Sequence, residues 1–195
     1  MSSYIKSLPD PLPTGRQLVQ AIKTSGLIGT PYSKLDCQAA VEKALSLVGV
    51  VVNYRGSNHM WRELVHDRMT YDECIRKYGC IPPGAFCFSL YHDGSEIAKG
   101  YRDTMGAAKH VGICLGDGNT IFHSTSGGVQ YGTFGAAGTN RIALCNLLRY
   151  ETDQEGGAEG EGETFAAGTR QALQSLLNDL KKATTILEGV LNETH

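Results

Sequence analysis

The chain has 195 residues, 41% of them hydrophobic, with 18 Lys and Arg against 20 Asp and Glu, a net charge of -2. That is enough apolar material for one globular domain with a real core. The charge balance gives no basic field for nucleic acid or anionic membrane, and no apolar run is long enough to span a bilayer.

The N-terminal stretch "MSSYIKSLPDPLPTG" lacks a charged segment followed by an apolar one, so no secretory signal is expected and the chain is read as made in the cytoplasm. "TGRQLVQAIKTSG" carries Thr14 with Gln17 three residues on, a stripe of Leu18, Val19 and Ile22, and then Gly26, the pattern of a capped helix. After the turn "GTPYSKLD", a second helix is predicted from about 36 to 47. Ser33 and Asp36 stand in capping-box spacing, and Ala40, Val41, Ala44, Leu45 and Val48 form its apolar stripe. Cys37 falls in its first turn, where it is either a small core hydrophobe or a nucleophile held at a helix N-terminus.

Residues 49–69 mix an apolar run with the polar, aromatic "YRGSNHMWREL" and read as an excursion between two core pieces. Within it Trp61, flanked by Arg55 and Arg62, either anchors the loop or stacks on an acidic peptide ligand. Thr70 and Glu73 cap a short helix ending at Gly79. From "IPPGAFCFSLY" onward, β-rich runs at 85–91, 110–115, 120–125 and 141–148 alternate with glycines. Helices first and strands after point to an α+β domain with an antiparallel sheet over 1–150. The acidic, glycine-rich residues 151–164 read as a flexible linker. Residues 165–195 read as an amphipathic helix with one apolar face, for self-association, for docking, or for folding back on the domain.

Six cysteines, 37, 74, 80, 87, 114 and 145, lack the spacing of a disulfide framework and are expected reduced; without CxxC pairs or histidines four apart on a helix, no metal site is expected. The chemistry-bearing pattern is "KHVGICLGDGNTIFHST". With Asp117 and Gly118 as a two-residue type I′ turn, paired positions sum to 235, so Gly112 faces His123. His110 and His123 then share a face as diagonal neighbours, roughly 5 to 8 Å apart at Cβ. One imidazole can orient the other as a base for a nucleophile, which would be Cys37.

"GTPYSKLDC", "PPGAFCF", "HVGICLGDG" and "IFHST", in that order, resemble the successive motifs of NlpC-type cell-wall peptidases, papain-like cysteine enzymes. The resemblance spans residues 14 to about 149. It implies a papain-like core, N-terminal helices packed on an antiparallel sheet, and no cofactor. Cys37 would be the nucleophile, His110 the general base and acid, and His123 the orienting residue. Tyr32, Asp36 and Gln38 would meet substrate, Asp36 at its free amino terminus. The implied reaction is endopeptidase cleavage of peptidoglycan stem peptides after a D-glutamyl residue, before a diamino acid, at the bacterial cell wall, as in a phage lysin or a virion-borne enzyme. Alternatives are an N-acetylmuramoyl-L-alanine amidase and a silent wall-binding module. Where the family most often reads "DCSG", this chain reads "DCQAA"; the lengthened 49–80 interval resembles variants from phage or Gram-positive bacteria, and in this chain it would wall the substrate groove.

Overall fold

The computed structural model describes residues 4–91, 101 and 103–150, so the expected linker and C-terminal helix lie outside the described residues. The described part is α+β with an antiparallel sheet. Helix α1 (Gly15–Thr24) starts as its sequence dictates: Thr14 accepts from the Gln17 amide at 3.1 Å, and the Gln17 side chain accepts from the Thr14 amide at 2.7 Å. Helix α2 (Cys37–Ser46) differs in one detail from expectation. Asp36 is itself the N-cap, accepting from the Ala39 amide at 2.8 Å, rather than the partner of a capping Ser33. Its carboxylate satisfies one of the amides a helix start leaves unpaired.

A short strand β1 (Ile5–Ser7) pairs with β2 (Val51–Val52). The expected excursion then proves to be part of the domain. A short helix α3 (Ser57–His59) runs into a π-helical turn at Met60–Leu64, and β3 (Val65–Met69) becomes an edge strand of the main sheet. Met60, Trp61, Leu64 and Val65 are all buried, so these residues close the core instead of looping over it. The apolar spacing there follows no single period, which is why it reads as loop in the sequence. Helix α4 (Tyr71–Tyr78) carries the expected Thr70 and Glu73 capping box and ends at Gly79 in the left-handed conformation.

The remaining strands are β4 (Phe86–Tyr91), β5 (Ala107–Cys114), β6 (Thr120–Thr125), β7 (Gly128–Thr133) and β8 (Arg141–Cys145), giving a six-stranded sheet in the order β3-β8-β4-β5-β6-β7. Strand β7 was not among the sequence expectations, since its alternation is diluted by glycine and tyrosine. One sheet face packs Phe86, Phe88, Val111, Ile113 and Phe122 against Leu18, Ile22, Ala40, Val41, Ala44 and Leu45 of α1 and α2. The other gathers Cys87, Cys114, Ile121, Ile142 and Leu144 with Met69, Cys74 and Ile81. Burial of each large side chain is worth about 1.5–3 kcal/mol, so truncating Leu45, fully buried, would cost about 2–5 kcal/mol. All six cysteines are free.

Strands β5 and β6 form the hairpin that positions the histidines. Gly112 pairs with His123, Ile113 with Phe122 and Cys114 with Ile121, the register expected from the sequence. The turn itself is different. Leu115 donates to the Thr120 carbonyl at 2.9 Å, and residues 116–119 form a four-residue connection with positive φ at Gly116 and Gly118 but not at Asp117. A type I′ turn would need positive φ at both central residues. Because the longer loop is centred on the same point, the pairing sum is unchanged.

Candidate active site

Cys37 is the first residue of α2, and the loop that delivers it is tied to the sheet at two places. The Ser124 hydroxyl donates to the Leu35 carbonyl at 2.6 Å, and Gly29 and Thr30 exchange backbone bonds with Val129 of β7 at 2.8 Å each. The helix start is therefore fixed against β6 and β7 before any helix packing is considered. Cys37 is only 9% exposed, and the backbone amide of Val111 lies where it favours the thiolate. Cys37 thus meets β5 at the residue that follows His110.

His110 and His123 come together as the register requires. Nε2 of His110 lies 3.1 Å from Nδ1 of His123, with the rings edge to face at a centroid separation of 5.2 Å. Between them Gly112 is indispensable: a Cβ there would lie 3.1 Å from the His123 Cβ and 2.9 Å from the Phe122 carbonyl oxygen. On the far side, a Cβ on Gly132 of β7 would lie 2.6 Å from Nε2 of His123. Two glycines thereby clamp a His123 side chain that is 2% exposed.

The 3.1 Å contact is compatible with either order of protons. For His110 to accept a proton at Nδ1, its own hydrogen must sit on Nε2 and be donated to Nδ1 of His123, whose hydrogen is then on Nε2. No carboxylate completes this chain among the hydrogen bonds of the described residues. Accordingly burial, and then the neighbouring His123, lower the His110 pKa to about 4, and burial also lowers that of His123.

The thiol shows the opposite displacement. Burial pushes Cys37 above the ordinary thiol value, outweighing the amides of Val111, Gln38 and Cys37 itself, and the Asp36 charge adds to the rise. The thiolate expected from the helix N-terminus is therefore not the resting state. A helix start supplies roughly half a charge, and desolvation of a sulfur anion is the larger effect here. The unliganded pair is thiol and neutral imidazole.

Tyr32 is 41% exposed, and its hydroxyl reaches both the thiol and the backbone amide of Cys37; burial, followed by the charges of Cys37 and Asp36, raises its pKa. Asp36 is exposed beside it. Gln38 turns elsewhere: its amide donates to the Tyr54 carbonyl at 2.6 Å and to Glu42 at 3.0 Å, fastening α2 to the segment that follows β2. Trp61 is 3% exposed, donates to the Met105 carbonyl at 3.0 Å and packs edge-on against Phe88 at 5.1 Å. It has no face to offer a ligand, so the loop-anchoring alternative describes it and the stacking role does not. Arg62 likewise is engaged, in a bidentate pair with Asp103 at 2.7 Å.

Beside His110 opens a cleft of about 420 Å³, lined in part by Tyr32, Ser89, Tyr91, Lys109 and Thr125. Lys109 and Thr125 had no part in the sequence expectations. Among the described residues no group of three or more His, Cys, Asp or Glu is placed to hold a metal ion, and no helix is long and apolar enough to cross a membrane. Compared with known proteins, the chain matches no family model and no curated protein sequence.

Proposed function

We propose that the chain is a cysteine endopeptidase of peptidoglycan stem peptides, of NlpC type, acting on the bond between a D-glutamyl residue and a diamino acid. The observation that carries this reading is the 3.1 Å contact between His110 and His123, on a strand whose next residue, Val111, turns its backbone amide to Cys37 at the start of α2. A nucleophile, a base and an orienting group form the minimum set for acyl transfer.

In the proposed reaction Sγ of Cys37 attacks the scissile carbonyl carbon while its proton passes to Nδ1 of His110. Because the resting pair is neutral, attack and proton transfer are coupled. The carbonyl oxygen becomes an oxyanion received by the Cys37 backbone amide and the Tyr32 hydroxyl, two of the donors gathered at the sulfur. His110, now imidazolium and hydrogen-bonded through Nε2 to His123, gives its proton to the leaving amine as the C–N bond breaks. A water, deprotonated by His110, then adds to the thioester, the C–S bond breaks and the sulfur regains its proton. Asp36, exposed at the helix cap, suits the free amino terminus of the stem peptide.

One observation favours a second reading, a wall-binding module without activity: burial holds the proton on Cys37. Purified cell walls and a synthetic stem peptide separate the two. The peptidase reading expects a new amino group on the diamino acid by mass spectrometry, absent with Cys37→Ala. A new amino group on L-alanine would identify an amidase instead, and turnover surviving in Cys37→Ala would end the cysteine mechanism.

A further inference from the structure

The strand that carries His110 contains one irregularity. Strand β5 follows β4 residue for residue from the Phe86–Ile113 pair to the Ser89–His110 pair; then Leu90 pairs with Ala108, so Lys109 is an extra residue without an opposite number. Such a bulge breaks the alternation of sides and re-aims the side chain it contains. Ala108 and Leu90 belong to the helix-side core, whereas Lys109 and His110, adjacent in sequence, both line the cleft. The Lys109 ammonium lies 4.6 Å from the centroid of the Tyr91 ring, itself part of the lining.

The polar groups around it differ in what they have left to offer. Ser89 and Ser124 donate their hydroxyl protons to the carbonyls of Ala137 and Leu35, at 2.5 and 2.6 Å. Thr125 does the reverse. Its hydroxyl oxygen accepts from the Gly127 amide at 3.2 Å and from the Gln130 side chain at 2.9 Å, which uses both lone pairs and leaves the proton to donate. Of the described lining residues, Lys109 alone brings a charge at neutral pH, since His110 stays unprotonated down to about pH 4. An ammonium and a donor-only hydroxyl in one cleft are complementary to an anion with two acceptor oxygens.

We propose that Lys109 and Thr125 form a carboxylate subsite beside His110, which selects peptides carrying a free carboxylate near the scissile bond. This rests on the peptidase reading above. The carboxylate has two sources in a stem peptide: the α-carboxylate left free by a γ-linked glutamyl residue, and the peptide's own C-terminus.

Four synthetic stem peptides, with D-glutamate or D-isoglutamine and with a free or amidated C-terminus, separate these sources. Their binding to the full-length Cys37→Ala protein is measured by calorimetry, and their cleavage by wild type, Lys109→Met, Lys109→Arg and Thr125→Val by mass spectrometry. Removing one charge-assisted hydrogen bond is expected to cost about tenfold to a hundredfold, so the D-glutamyl peptides bind and react better than their amides by that factor. Lys109→Met abolishes the difference, Lys109→Arg restores most of it, and Thr125→Val, which keeps the charge, reduces it. Discrimination that follows the C-terminal amide instead upholds the subsite and assigns it to the chain end. Equal binding of all four peptides, or a preference that survives Lys109→Met, overturns it. Preferential binding without cleavage by wild type upholds the subsite and refutes the peptidase; cleavage without preference does the converse; neither binding nor cleavage refutes both.

Discussion

Lowering the pH tests the histidine pair directly, because the fold holds His110 neutral where an unfolded chain would protonate it. The pKa falls from 6.5 to about 4, which at 1.36 kcal/mol per pH unit corresponds to roughly 3 kcal/mol. The ring is only partly buried, so solvent screening brings this to about 2 kcal/mol. The sign follows from proton uptake. Between pH 6.5 and about 4 the unfolded state binds more protons at this site than the folded state, so stability is fully present above 6.5 and is lost as pH falls toward 4. Urea unfolding of wild type and His110→Gln at pH 7, 6, 5 and 4.5 isolates the effect. Glutamine retains a donor for Nδ1 of His123 but takes up no proton. The depression of His123 arises from burial alone and subtracts out of the comparison. Wild type should lose about 2 kcal/mol more than the variant, a midpoint difference of about 1 M urea. On the same grounds the acid limb of kcat/KM should lie near pH 4. Parallel stability curves for the two proteins, or an acid limb near 6.5, would show that His110 is not held neutral and would sink the proton assignment.

The other predictions concern the residues around that pair. Alkylation of Cys37 by iodoacetamide should accelerate with an inflection above the ordinary thiol value, since burial favours the thiol; an inflection well below about 8.5 would instead reveal a resting thiolate and imidazolium. Gly132→Ala drives a methyl to 2.6 Å from Nε2 of His123, so it should cost about 1–3 kcal/mol in thermal or urea unfolding. Turnover should fall about tenfold or more in that variant as His110 loses its alignment, and wild-type turnover would show that the ring has room to move. Trp61→Phe keeps the ring against Phe88 but abandons the bond to Met105; it should cost about 1 kcal/mol by urea unfolding and leave KM unchanged, whereas a raised KM would return Trp61 to the groove.

What was legible in the sequence was local. Thr14 with Gln17 and Thr70 with Glu73 announce helix starts because a cap is a contact between residues three apart, and both formed as read. The histidine pair was legible for a related reason: a hairpin's pairing depends on the centre of its turn, which two neighbouring residues mark. What escaped was decided across the sheet. The bulge at Lys109 arises from how β5 meets Leu90 of β4, a partner 18 positions away with no signal of its own. Trp61 was ambiguous because an aromatic between arginines looks alike whether it faces solvent or Phe88. Gln38, which stands where the family resemblance expects serine, is held by Tyr54 and Glu42, residues the resemblance does not address. The Cys37 environment escaped for an energetic reason, since a helix start is visible in sequence and the depth of a sulfur is not.

The connection at residues 116–119 carries a consequence for descent. Its four residues and a two-residue turn about the same centre give one and the same pairing of Gly112 with His123, so the pairing does not depend on where within 116–119 the chain reverses. A slip of the two strands by one position, in contrast, would turn His123 onto the opposite side of the sheet and leave His110 without its partner. The register of the two strands, more than the identity of any residue in the loop, is what lineages of this chain are expected to inherit unchanged.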